Sequence, residues 1–161
     1  MIYLKTAEEI ELLRENNQLV SATLAEIGKH VRPGVSTLEL DKIAEDFIRS
    51  HGAEPGFLGY GGFPNTLCMS INEEVVHGIP SAKRILKEGD ILSVDCGTLM
   101  KGFYGDSAYT FAVGEIAPEV QDLLRVTKEA LYKGVAQAKA GNRIGDIANA
   151  VQEHAERHGY S

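Results

Sequence analysis

The sequence predicts an α+β fold: two capped helices, a Gly-rich aromatic loop, a run of strands ending in a hairpin, and two further helices. Three observations carry that expectation. Thr6–Glu9 and Ser36–Glu39 both have the Ser/Thr-x-x-Glu form of a capping box, which satisfies the free N–H groups at a helix start. Residues 91–100 and 103–113 are strand-like runs joined by Lys101-Gly102, a hairpin signal. The order of long helix, Gly break, shorter helix and His-Gly end also occurs twice, offset by 107 residues.

Taken in order, the first helix shows Ile10, Leu13, Val20, Leu24 and Ile27 at roughly helical spacing, giving one apolar face. Pro33-Gly34 breaks the chain. The second helix buries Leu40, Ile43, Ala44, Phe47 and Ile48, with Gly52 where a C-terminal cap belongs. Residues 53–65, AEPGFLGYGGFPN, read as an ordered loop, because so many large apolar side chains are out of place in a disordered linker. Leu67 to Ile71 is a strand, and Val75-Val76-His77 a short strand or the end of one. Lys87 to Asp90 is a turn, and the hairpin follows. Pro118 suits the first turn of a third helix, whose face is Val120, Leu123, Leu124, Thr127, Leu131 and Val135, and Gly141 ends it. A last helix runs from about Ile144 to His158 and stops at Gly159.

Composition narrows the functional classes. With 161 residues, 43% of them hydrophobic, the chain can bury a core of its own. A net charge of −7 argues against a nucleic-acid surface, which needs a basic face. Two cysteines, Cys68 and Cys96, are too few for a disulfide framework, so a reducing compartment is expected. The charged N-terminal segment has no apolar signal region, and no run approaches the roughly 20 apolar residues of a membrane span. The expectation is a cytoplasmic protein without membrane contact.

The residues that point to chemistry are Asp95 and Asp106. They lie on the two hairpin strands, close enough across the turn to be diagonal neighbours. Asp95 interrupts the apolar run Ile91-Leu92-Ser93-Val94, where a lone carboxylate is costly to bury. Two buried carboxylates repel, and one takes up a proton unless a cation lies between them. A divalent metal resolves that conflict, and a bridged pair of metals resolves it better. Aspartates beside glycines also serve turns, so spacing alone leaves both readings open. His77, in Val76-His77-Gly78-Ile79-Pro80, sits on a rigid loop from which it could reach such a site. Tyr60, Phe63 and Cys68 could line an apolar pocket or simply pack in the core.

Setting Pro33-Gly34 against Ala140-Gly141 aligns Glu39 with Asp146, Leu40 with Ile147 and His51-Gly52 with His158-Gly159. In the first copy the helix pair leads into strands; in the second the sequence ends at Tyr160-Ser161. The expectation is a fragment of a longer chain, with an unpaired sheet edge that opens a route to self-association.

The segment SINEEVVHGIP at residues 70–80, the run from Gly89-Asp90-Ile91 to Asp95, and Gly102 to Asp106 closely resemble the type I methionine aminopeptidases. The aromatic loop Gly59-Tyr60-Gly61-Gly62-Phe63-Pro64 fits as well, and the likeness runs along the whole chain. It implies a pita-bread fold, the creatinase/aminopeptidase architecture of two pseudo-symmetric halves. Residues 1–113 would be the first half, and 114–161 the helix pair of the second, in one incomplete catalytic domain. By position Asp95 would chelate one divalent metal and Asp106 would bridge two, with cobalt, manganese, iron and zinc all candidates. His77 would contact the substrate near the scissile amide and act catalytically. Phe57, Tyr60, Phe63 and Cys68 would line the pocket for a methionine side chain. The backbone near Asn72 and Glu74 would hold a monovalent cation. The implied reaction removes the initiator methionine from nascent peptides whose second residue is small, using a metal-activated hydroxide. The family also draws one His and two Glu from strands beyond Ser161, so the 161-residue chain alone is expected to be inactive, and its full-length parent a monomer. An aminopeptidase acting before proline and a non-catalytic binding module are the alternatives. The first usually carries an extra N-terminal domain, and the second usually loses the metal ligands retained here.

Overall fold

A computed structural model describes residues 2–161, in two compact units: one ends at Glu115 and the other runs Ile116–Ser161. The first unit opens with α1, Ala7–Gly28, and α2, Thr37–Ser50. Thr6 caps α1 as a full capping box, its side chain accepting from Glu9 N–H while the Glu9 carboxylate accepts from Thr6 N–H. Ser36 caps α2 through the Glu39 N–H alone, so the reciprocal half of the expected second box is missing.

Four antiparallel strands follow: β1 (Glu54–Pro55), β2 (Leu67–Ile71), β3 (Ile91–Met100) and β4 (Phe103–Ala112). The long strand β3 is their hub, paired along its length with β4 and on its other edge with β1 and β2. Lys101 and Gly102 both have positive φ, 52° and 81°, as a two-residue hairpin turn matched to strand twist requires. Val75 to His77 forms no strand. The chain turns there, with Val75 85% exposed and His77 at φ 61°.

Alternation along β3 sorts the sheet into two faces. Leu92, Val94, Cys96 and Thr98 are buried against the helices, joined by Leu67 and Met69 from β2 and by Val20, Leu24, Ile27, Leu40, Ala44 and Ile48 from α1 and α2. Ile10 lies outside this core at 47% exposure, and Asn16 and Leu19 take places on the buried face of α1. Asn16 is buried because it closes the end of the hairpin. Its Nδ2 donates to the carbonyls of Thr98 and Phe103, and its Oδ1 accepts from the Thr98 hydroxyl at 2.6 Å. Gly105 lets the α1 backbone come close, since a Cβ there would stand 3.1 Å from the Asn16 carbonyl.

The second unit is a helix pair, α3 (Pro118–Gln137) and α4 (Ile144–Arg157). The face α3 buries is Val126, Ala130 and Gly134, one position off the face expected from sequence. Leu131 and Val135 are 60% and 59% exposed. Gly134 explains the rotation: the Val151 methyl of α4 lies 2.7 Å from where a Cβ would be, so the helices meet where α3 has no side chain. Among the described residues no helix is long and apolar enough to cross a membrane.

Candidate functional site

The face of the sheet turned away from α1 and α2 collects the residues singled out above. Directly paired residues of an antiparallel ladder point to the same side. Cys68 pairs with Asp95, and Gly97 pairs with Asp106, so Cys68, Asp95 and Asp106 share one face, with the two carboxylates on the diagonal. Gly97 is the gap between them, and the Phe57 ring fills it: a Cβ on Gly97 would lie 2.4 Å from that ring. Phe57 is held there because Gly56 N–H donates to the Gly97 carbonyl at 2.8 Å.

The electrostatics follow from this crowding. Burial first, then the charge of Asp106 and a hydrogen bond with it, push the Asp95 carboxyl up to about 6. The charge of His77 and the Cys96 N–H pull the other way. Burial and the two carboxylates also push the Cys68 thiol up to about 11, leaving it a neutral wall of the site at ordinary pH. Without a cation, burial and the neighbouring Asp106 charge favour the protonated form of Asp95. Two carboxylates on one rigid hairpin are the oxygen donor set that hard and borderline divalent ions prefer, so this pair could hold a metal.

His77 lies on a loop stitched to the edge of β2 that β3 does not occupy. Met69 N–H donates to the Gly78 carbonyl at 2.8 Å, and Gly78 N–H donates to the Ser70 hydroxyl at 3.1 Å. The approach is so close that a Cβ on Gly78 would fall 2.0 Å from the Met69 carbonyl oxygen. Only glycine fits beside the strand, and His77 takes the left-handed conformation that this junction needs.

The aromatic loop is ordered, as its composition indicated. Gly59 N–H donates to the Phe63 carbonyl, Phe63 N–H donates to the Tyr60 carbonyl, and a short 3-10 turn spans Tyr60–Gly62. Phe63 is half-buried, while Tyr60 is 79% exposed and borders solvent. Asn72 and Glu74 have their side chains engaged. Asn72 donates to Asp90 and accepts from Ile91 N–H, and Glu74 accepts from Ile71 N–H and pairs with Arg84.

Two supporting residues were not singled out from the sequence. Asn17 of α1 accepts from the Asp106 N–H through Oδ1 at 3.3 Å. Asp41 of α2 is buried, and its carboxylate accepts from Asn65 Nδ2, Thr66 N–H and Leu67 N–H, fixing the entry of β2 and hence Cys68. Burial raises the Asp41 carboxyl pKa, and these three hydrogen bonds oppose the rise.

Residues 11–161 match the description of metallopeptidase family M24. The chain belongs to that family. It is 52% identical to the methionine aminopeptidase of Clostridium acetobutylicum over 160 residues, and 48% identical to methionine aminopeptidase 1 of Bacillus subtilis over 161. These alignments cover 99% and 100% of the chain but 64% of each relative, so the chain spans about two thirds of their length. Among solved structures, methionine aminopeptidase from Rickettsia prowazekii superposes with a TM-score of 0.97 at 40% identity, over 100% of this chain and 64% of that one. A Xaa-Pro dipeptidase from Bacillus anthracis gives 0.86 at 28% identity, over 98% of this chain and 42% of that one. This M24 chain therefore has the pita-bread architecture over the part it contains, and its family is one of divalent-metal peptidases.

Proposed function

We propose that the chain carries the first half of the centre of a methionine aminopeptidase, acting on peptide N-termini that begin with Met followed by a small residue. The observation that supports this best is the diagonal pair Asp95 and Asp106, where burial first and then the Asp106 charge raise Asp95 to about 6, a conflict that a cation would relieve. In this reading Asp95 is a ligand to one metal and Asp106 bridges two. When bound, such metals supply an acidified water and polarise a carbonyl. His77, fixed by the Gly78 junction, donates toward the scissile amide. Phe57, Cys68, Phe63 and Tyr60 receive the methionine side chain, and the neutral Cys68 thiol suits an apolar, sulfur-containing guest. Asn72 and Glu74 mark a main-chain monovalent-cation site.

Residues 1–113 act as the first pseudo-repeat and 114–161 as the helices of the second. In this reading a complete centre would need a further His and two Glu that the matched part does not supply, as the family resemblance implies. The 161-residue chain alone is accordingly inactive. The test joins this chain to the C-terminal third of the Clostridium relative and measures methionine release from methionyl-alanyl peptides. The extended chain should release methionine, Asp106→Asn should abolish that activity, and residue-prolyl peptides should not be cut. Preferential cleavage before proline would replace the reading with the Xaa-Pro one. Undiminished activity in Asp106→Asn would overturn it.

A further inference from the structure

The helix pair α3–α4 carries a second constellation of donors that the peptidase reading does not use. Glu129 of α3, His154 of α4 and His158, the residue that caps α4, each offer a potential ligand atom, and these atoms lie within 4.8 Å of one another. His154 and His158 are one helical turn apart, so their rings lie on the same side, with centroids 4.5 Å apart and planes tilted by 56°. His154 Nε2 is 2.9 Å from Glu129 Oε2, and its side chain is only 10% exposed.

We propose that Glu129, His154 and His158 form a zinc-type site that ties the C-terminal end of α4 to α3. The set of two imidazoles and one carboxylate is that of an open tetrahedral centre, with water in the fourth position. It suits borderline ions such as zinc over hard ions such as magnesium.

The remaining hydrogen bonds agree with ligation. His158 Nδ1 lies 2.8 Å from the His154 carbonyl, so Nδ1 carries the proton and Nε2 keeps its lone pair for a metal. Arg125 occupies the other oxygen of Glu129 at 2.7 Å, and Arg125 and His154 hold the Glu129 carboxyl below its usual range. Glu129 is therefore a carboxylate, and a cation would take the place of the proton between its Oε2 and His154 Nε2. The charge of Arg125 is offset by Asp122, which it also pairs with.

The internal repeat supplies a comparison within the chain. At the offset of 107 residues His158 corresponds to His51 and His154 to Phe47. The first copy has the same cap, with His51 Nδ1 at 2.8 Å from the Phe47 carbonyl and rings 4.3 Å apart. There the partner ring is a phenyl and cannot ligate. The second copy has an imidazole in its place and a carboxylate opposite. The Glu26–His30 pair of α1 is a further contrast, since it has one imidazole and a lysine, Lys29, on the same carboxylate.

The experiment titrates zinc into the full chain bearing Asp95→Asn and Asp106→Asn, which silences the hairpin carboxylates whatever they bind. Calorimetry is combined with NMR of the histidine ring nitrogens. One equivalent should bind, shifting the rings of His154 and His158 and not those of His30, His51 or His77. His158→Asn changes an exposed residue and leaves the fold intact by circular dichroism, and it should weaken binding by at least about tenfold, as should Glu129→Gln. Failure to bind zinc, ring shifts at other histidines, or unchanged affinity in His158→Asn would each overturn the site. None of these outcomes bears on the hairpin pair.

Discussion

At the scale of single residues, the account rests on polar groups held where water would ordinarily solvate them. Asp95 is the clearest case. Its carboxyl rises from 3.8 to about 6 on folding without metal, so between those values the folded chain binds a proton that the unfolded chain has lost. The stability that goes with that proton is present below about pH 4 and disappears as the pH climbs through 6. Chemical denaturation of the metal-free chain should show a loss of about 1–2 kcal/mol across this window, allowing for the half-exposed surroundings. Asp106→Asn should shrink that loss without removing it, because burial outweighs the charge of Asp106 among the causes. The diagonal placement of Asp95 and Asp106 was legible in the sequence, because the Lys101-Gly102 turn sets the hairpin register. Asn17 and Asp41 were not legible. A polar residue on an amphipathic helix ordinarily faces water, and only the folded register reveals that these two face Asp106 and the start of β2.

At the scale of elements, glycines and caps decide how closely segments approach. Gly78→Ala should lower stability by about 2–4 kcal/mol in thermal unfolding, because the new Cβ meets strand backbone and not a movable side chain. The same change should displace His77, read as a shift of its ring resonances. Asn16→Leu should cost about 2–4 kcal/mol, since it strands the buried carbonyls of Thr98 and Phe103 and the Thr98 hydroxyl. Strand and helix extents were readable from capping, breaks and turn chemistry. The face of α3 was misread because periodicity weighs Leu131 and Val135 as core formers, whereas the helices pack at Gly134, a residue that hydrophobicity alone ignores. The supposed strand at Val75–His77 failed for a related reason: β-branched residues suit strands, but the positive φ of His77 and the tie from Gly78 to β2 turn the chain.

At the scale of the whole molecule, the chain spans 64% of its first relatives and comprises a four-stranded sheet unit and a helix pair with exposed Leu131, Tyr132, Val135 and Ile144. The family was legible from short motifs: the segment around His77–Gly78, the hairpin with its aspartates and the Gly-rich loop. The α3–α4 donor set was passed over, because His154 and His158 gain meaning only once Glu129 is brought beside them. The claim that joins all scales is that Asp95 and Asp106 form a cation site. Manganese tests it most directly, because a paramagnetic ion that prefers oxygen donors reports its position by broadening nearby amide resonances. Titrated into the chain, it should broaden Cys68, Asp95 to Gly97 and Asp106 to Ala108 first, and Asp106→Asn should abolish that pattern. Broadening that spares the hairpin, or that persists unchanged in Asp106→Asn, would contradict the account.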